Sequence, residues 1–324
     1  MQRLRLEVPA GVAEDYLRLF VNRRAYTLQS DRPRPGSDRH YYYRPTDKNT
    51  GQGLSLTQDT IRRHLEGGIT AGLYTINPES QRCKWVAIDA DYKGAMEDLV
   101  KLQFYLSKDQ VQAALEMSSR GGHLWIFLET PLLARACRIY IYNLASTLGV
   151  PVKGNGLAEG IEIFPKHDEL GPGEFGNAIR GPLGIHRGAC RRYWFYGADY
   201  GLEVQIAYLN RLRKVTEEEL TRFIAGRIMP AKYRSEPRAP EPALRRANPG
   251  LNEFKILEHV GKLRKVGRNY VTRCPSCAGS GHDRGGDNLA IRIDDPRFYK
   301  CWAGCTKEMI REALGCPIRF QQKP

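Results

Sequence analysis

Between Trp85 and Asp91 the chain reads Trp-Val-Ala-Ile-Asp-Ala-Asp, an apolar, partly β-branched run that closes on two acids one residue apart. A run of this kind forms a buried strand. Side chains alternate across a strand, so Asp89 and Asp91 project from one face, ~7 Å apart along the chain. The feature therefore fixes a core strand and the place where that strand leaves the core. Two acids this close do not both stay ionised cheaply unless a cation lies between them. Divalent metal and phosphoryl transfer suit the pair; a strand running into an acidic, solvated turn is the plainer reading.

The surroundings supply the rest of a sheet. Glu14 to Phe20 and Thr57 to Leu65 have helical patterning, the second stopped by Gly67-Gly68, and Ala71 to Ile76 reads as a strand. After Asp91 a helix is expected over Ala95 to Leu106, then a hairpin of strands Ala113 to Ser118 and Leu124 to Leu128 turning at Arg120-Gly121-Gly122. A helix over Leu132 to Leu148 stops at Gly149, and short strands follow at Ile161 to Phe164, Ala178 to Arg180 and Tyr193 to Tyr196. Strand-helix-strand-strand-helix-strand over 84–164 predicts an α+β fold, an antiparallel sheet with helices on one face. Thr216 and Glu219 open a further helix as a capping box, and five prolines between Pro230 and Pro249 mark a linker.

Four more groups of residues carry chemistry. In Ser118-Ser119-Arg120-Gly121-Gly122-His123 the glycines let backbone approach a ligand, while the hydroxyls, Arg120 and His123 offer donors to phosphate. A carboxylate between isoleucines, Glu162, is the candidate third metal-facing acid, with Lys166 four residues on. Gly176 to Arg187 presents Arg180, His186 and Arg187 on a strand and turn, basic groups suited to a metal-bound triphosphate. Cys274-Pro275-Ser276-Cys277 and Cys301-Trp302-Ala303-Gly304-Cys305, 23 residues apart, have the spacing of a tetrahedral zinc site, with His282 as an alternative ligand and a redox CxxC as the competing reading. Taken singly, each of the first three also fits an ordinary hairpin, edge strand or surface turn.

The bulk properties agree with a polyanionic partner. The formal charge is +14, and 16 Lys and Arg against 7 Asp and Glu between Arg211 and Arg273 leave +9 of it there. Five of the eight cysteines fall in the last 51 residues, which favours metal over disulfides. The apolar runs are too short to span a bilayer and the first residues lack a signal-peptide core, so a cytoplasmic protein with no membrane partner is expected.

In their order these residues resemble the archaeo-eukaryotic primase superfamily, particularly the small primase-polymerases of phages, plasmids and defence systems. There a hydrophobic strand ends in acid-x-acid, as at Asp89-Ala90-Asp91. A hairpin then supplies a nucleotide-binding His, as at His123 after Ser119, and a third acid follows, as at Glu162. The family often has a compact Ser-x-His and an Asp as third acid, where this chain has Gly121 two before the His and a Glu. Cys274 to Gly315 resembles the zinc ribbon of bacterial and phage primases.

The resemblance implies a primase-polymerase core over 1–205 (an RRM-like sheet plus an N-terminal α/β unit), a helix and Pro-rich basic linker over 206–250, and a zinc-ribbon nucleic-acid-binding module over 251–324. It implies a DNA primase and polymerase acting on single-stranded DNA. Asp89, Asp91 and Glu162 would hold two Mg²⁺ or Mn²⁺ ions; Ser119, Arg120, His123, Lys166, Arg180, His186 and Arg187 would face the nucleoside triphosphate; Cys274, Cys277, Cys301 and Cys305 would hold one Zn²⁺. With no GxxxxGK[ST] run, a helicase partner would act in trans. A metal-dependent nuclease and a non-catalytic single-strand-binding protein are the alternatives.

Overall fold

The computed structural model describes residues 6–33, 40–154, 157–233, 254–279, 281, 283 and 285–317. The chain divides into two compact units, Met1–Ser235 and Glu236–Pro324.

In the first unit the elements run α1 (Val12–Phe20), β1 (Tyr26–Gln29), β2 (Tyr42–Tyr43), α2 (Gln58–Glu66), β3 (Ala71–Tyr74), β4 (Arg82–Ala90), α3 (Ala95–Lys108), β5 (Ala113–Met117), β6 (Gly122–Leu133), α4 (Ala134–Leu148), β7 (Glu162–Phe164), β8 (Ala178–Arg180), β9 (Ile185–His186), β10 (Arg191–Arg192), α5 (Leu202–Arg211) and α6 (Glu217–Ile224). Strands β4 to β7 form an antiparallel sheet in the order β5-β6-β4-β7. The first and third strands of the βαββαβ unit lie at its centre, as the element order predicts. A second sheet, β2-β1-β3-β8, is the expected N-terminal α/β layer.

Alternation along the central strands sorts their side chains between two cores. Val86, Ile88, Leu124 and Ile126 pack under α3 and α4 with Leu99, Leu102 and Ile141. Trp85, Ala87, Trp125 and Phe127 face the other way and pack with Tyr16 and Phe20 of α1. Phe20 meets Trp125 and Phe127 edge-on, both at 5.4 Å between ring centroids. The sheet is thus covered on both faces, where the sequence predicted helices on one.

Three local expectations are corrected. The helix expected from Leu132 begins at Ala134, because β6 continues to Leu133 and pairs with Arg82 and Cys83. Tyr193–Tyr196 is no ladder strand: Phe195 makes a single bridge to Glu116. The segment expected over 206–250 as a helix and Pro-rich linker begins with the end of α5 and with α6, and both pack into the first unit instead of standing apart from it. Ile206 and Leu209 are buried in one core and Val215 and Leu220 in the other, so the apolar face of each helix is core and not linker. Most of the proline segment lies outside the described residues.

The second unit contains β11 (Arg264–Val266), β12 (Asn269–Thr272), α7 (Pro275–Gly279), β13 (Leu289–Arg292), β14 (Tyr299–Cys301) and α8 (Lys307–Ala313). Its strands form an antiparallel meander. A single 3₁₀ turn, Ile256–Glu258, precedes these strands. No helix among the described residues is long and apolar enough to cross a membrane.

Candidate active site

Register places the polar residues of the first unit in one row. Asp89 on β4 stands opposite His123 on β6 and Glu162 on β7, and His123 stands opposite Glu116 on β5. Residues opposite one another in an antiparallel ladder share a face. The preceding row on that face is Ala87, Trp125, Ala114 and Phe164, all buried. Passing one row toward the end of β4, the same face therefore changes from apolar core to Glu116–His123–Asp89–Glu162. Asp91 follows one residue beyond the strand.

This row opens into a cavity of about 320 Å³ lined by Asp89, Asp91, Ser119, Arg120 and His123 on one side and by Tyr42, Arg180 and His186 on the other. An adjoining cavity of about 280 Å³ is lined by Asp89, Asp91, Arg120, Lys153 and Glu162. The structure thus brings together Asp89, Asp91, Glu162, His123, Ser119, Arg120, Arg180 and His186. Lys166 reaches the same place by pairing with Glu162. Arg187 does not line either cavity; it donates to the Gly68 carbonyl at 2.6 Å and pairs with Asp31 at 3.4 Å.

Each acid has a basic neighbour. Arg120 Nη2 donates to Asp91 Oδ2 at 2.6 Å and Ser118 Oγ to Asp91 Oδ1 at 3.1 Å. Lys153 and Lys166 both donate to Glu162; burial raises this carboxyl, but the two ammonium groups outweigh burial and hold it below its usual range. Asp89 Oδ1 is different. It is buried without a hydrogen bond, and His123 Nε2 stands 3.4 Å away. A buried carboxylate oxygen without a partner is costly. With Asp91 and Glu162, which line the same cavity, it offers hard oxygen donors of the kind Mg²⁺ and Mn²⁺ take.

Glu116, absent from the sequence-based site, is the hub of this row. It is 0% exposed and accepts from His123 Nδ1 at 2.8 Å, Trp125 Nε1 at 3.1 Å and Arg180 Nη2 at 2.9 Å. Burial would raise its pKa, yet Arg180 and His123 bring it down to about 2. Burial would likewise lower His123, but Glu116 and Asp89 lift it to about 9, so the imidazole is cationic at neutral pH. His186 goes the other way, lowered by burial and by Arg180. Lys153 and Tyr42 are further cavity residues that no motif marked. The signal available for Glu116 was a lone acid in the apolar strand Ala-Ala-Leu-Glu-Met.

The hairpin glycines have a different role from the one expected. A Cβ on Gly121 would lie 2.0 Å from the Ala90 carbonyl oxygen, and one on Gly122 2.7 Å from that of Glu116. They are needed so that the hairpin can close against the ends of β4 and β5, which seats His123 beside Asp89.

In the second unit the Sγ atoms of Cys274, Cys277, Cys301 and Cys305 all lie within 4.8 Å of one another. Tetrahedral zinc with 2.3 Å bonds separates its sulfurs by ~3.8 Å, so the four fit that ion. Buried Asp283, also unmarked by any motif, accepts from the backbone N–H of Cys274 at 2.6 Å and of Asp287 at 3.1 Å, which fixes the first knuckle. His282 lies outside the described residues.

No curated protein matches the chain. Among solved structures it is similar to the polymerase domain from Mycobacterium tuberculosis Ligase D in complex with DNA. Identity is 14% over 67% of this chain and 86% of that one, with a TM-score of 0.27. The family model for the archaeo-eukaryotic primase domain of TOTE conflict systems matches residues 22–223, a span that holds both four-stranded sheets of the first unit and every residue of the polar row. The chain belongs to that family of archaeo-eukaryotic primase domains.

Proposed function

We propose that this protein is a template-dependent nucleotidyltransferase that starts primers on single-stranded DNA and extends them. The observation that carries the reading is the convergence of Asp89, Asp91 and Glu162 on one cavity, with cationic His123 in the same row, inside a primase-family domain. The three carboxylates would hold two Mg²⁺ or Mn²⁺ ions. Such ions, when bound, lower the pKa of the attacking 3′-hydroxyl and stabilise the pyrophosphate that leaves.

The chain's own residues bind and orient. His123, held at Nδ1 by Glu116, keeps Nε2 directed into the cavity as a charged donor for a phosphate oxygen. Arg120 rises from the hairpin with Ser119, and Lys153 and Lys166 stand on the far side of the acids, so the phosphates of a nucleotide would be met from both flanks. These cations now compensate Asp91 and Glu162. A metal-bound nucleotide would bring its own cations to the acids and its own anions to the Arg and Lys groups, an exchange of partners that strands no charge. Arg180, His186 and Tyr42 form the opposite wall, where they would contact base or sugar. Arg187 would act by holding the turn that carries His186.

The test is a synthesis assay on a single-stranded DNA template with labelled nucleotide and Mn²⁺ or Mg²⁺, with and without a supplied primer. Product in both arms is expected. Extension of a supplied primer only would leave a polymerase that does not initiate. Asp89→Ala with Asp91→Ala should abolish incorporation while template binding persists, and synthesis by that variant would overturn the assignment. A template shortened without added nucleotide would point to the nuclease.

A further inference from the structure

Antiparallel register divides the second unit's sheet into two faces. Thr272, Leu289 and Cys301 lie in one row and Tyr270, Ile291 and Tyr299 in the next row on that face. Leu289, Ile291 and Cys301 are buried core, with Tyr270 and Tyr299 packed against them. The intervening rows point the other way: Arg264, Val271, Ala290 and Lys300, then Val266, Asn269 and Arg292. Phe298 and Trp302 flank β14, and the ladder runs on through them, the Arg292 N–H donating to the Phe298 carbonyl at 2.9 Å and the Trp302 N–H to that of Asn288 at 2.7 Å, so by parity with Lys300 both belong to this outer face. Both rings are turned out, Phe298 56% and Trp302 63% exposed.

Rings and cations alternate across it. Lys300 Nζ sits 5.6 Å from the centroid of the Trp302 ring, and the Arg292 guanidinium 5.7 Å from that of Phe298. Four steps of near-extended chain set the Cα atoms of the two residues ~13 Å apart, with Lys300 midway. Arg264 and Arg292 already pair with Asp287 and Asp294, but those pairs are exposed and worth little, so a phosphate can displace them. Residues 254–317 carry 12 Lys and Arg against 7 Asp and Glu, so the unit's net charge favours a polyanion.

We infer that this outer face binds single-stranded nucleic acid, stacking unpaired bases on Phe298 and Trp302 and meeting the backbone phosphates with Lys300, Arg292 and Arg264. Two exposed rings with cations between them need base faces and phosphates together, and only an unpaired strand offers both. A duplex hides its base faces, and an acidic protein surface has none. The proposal rests on the polymerase reading only for which strand is bound, the template; the face itself binds whether or not the first unit incorporates nucleotide.

The experiment is fluorescence anisotropy of the full zinc-loaded chain with a labelled oligothymidylate and with a duplex of equal length, without nucleotide. The wild type should prefer the single strand. Phe298→Ala with Trp302→Ala should raise its Kd at least about tenfold with zinc content unchanged. Phe104→Ala, which removes an equally exposed ring from α3, should not. Lys300→Ala should lower the salt slope of log K by about 1. Trp302 also reports directly: of the four tryptophans it alone is exposed, Trp85 and Trp125 being fully buried and Trp194 partly buried in the first unit's core. Saturating oligonucleotide should quench its emission, and Trp302→Phe should lose the quench while keeping most of the affinity. Unchanged affinity in the zinc-replete double variant, no quench at Trp302, or equal affinity for duplex would each overturn the proposal. A wild type that binds but incorporates nothing would instead defeat the polymerase reading and leave this face standing.

Discussion

Glu116 has no solvent contact and three charged or N–H donors on its two oxygens. Its removal therefore leaves buried Arg180 without its anion and His123 with Asp89 alone. Breaking a buried pair in this way costs about 3–5 kcal/mol, so Glu116→Ala should lower the melting temperature sharply. Glu116→Gln keeps an acceptor and the side-chain volume but loses the charge that aligns His123. It should fold, yet incorporate nucleotide about ten- to a hundredfold more slowly, as when a partner that orients a site residue is lost. Wild-type rates in Glu116→Gln would show that Glu116 serves the core alone. Asp89, Asp91 and His123 were legible because each stands at a break in pattern, at the end of an apolar run or after a glycine turn. Glu116 was not, because one acid in a short apolar strand looks like an edge residue until pairing with β6 puts it opposite His123.

At the scale of elements, the βαββαβ order was readable from periodicity alone, and with it the sheet that holds the acids. What periodicity does not reveal is the partner of a face. Trp85, Trp125 and Phe127 read as buried in either case; only the packing of α1 on them shows that the sheet is covered twice. Helix α2 belongs to the same second layer, and its buried His64 ties that layer together. Its Nδ1 accepts from the Ala71 N–H at 3.1 Å, so Nε2 carries the proton and donates to the Pro182 carbonyl at 3.1 Å. This neutral form uses both nitrogens, and protonation would break the first bond. Burial, reinforced by Arg180 and Arg192 and only partly offset by Pro182 and Glu116, lowers His64 to about 4 from an ordinary 6.5. As pH falls, the unfolded chain takes up this proton first. Stability that is full above pH 6.5 should decline toward pH 4, by about 3 kcal/mol at most, and level off below it. Melting temperature against pH should show this decline in the wild type and lose it in His64→Asn, whose carbonyl can still accept from Ala71. An identical slope in both proteins would assign the acid sensitivity elsewhere. The glycine turn makes a companion case: Gly121→Ala drives a methyl into the Ala90 carbonyl. It should destabilise the fold by about 1–3 kcal/mol, as overpacking does.

For the whole molecule, the two units differ in what holds them folded. The first has two large apolar cores, and the thiols of Cys83 and Cys137 lie within one of them, 3.7 Å apart. Among the described residues, the second has one small core in which three of the zinc-type cysteines, Cys274, Cys277 and Cys301, stand among four buried aliphatic side chains, Ile256, Leu289, Ile291 and Ile310. A core of that size does not stabilise a domain unaided. Four thiolates gathered without a cation would also repel one another, so metal binding and folding would be one equilibrium there. A strong zinc chelator should therefore strip hydrogen-exchange protection from the amides of β12, β13 and β14 while leaving β4, β5 and β6 as protected as before. The outer face that carries Phe298 and Trp302 exists only while that sheet does, so the same treatment should remove the Trp302 quench by oligonucleotide and restore it when zinc is returned. Undiminished protection of β12 to β14 after the metal has been removed would mean that the cysteines are core thiols, and that apolar packing suffices to hold the second unit.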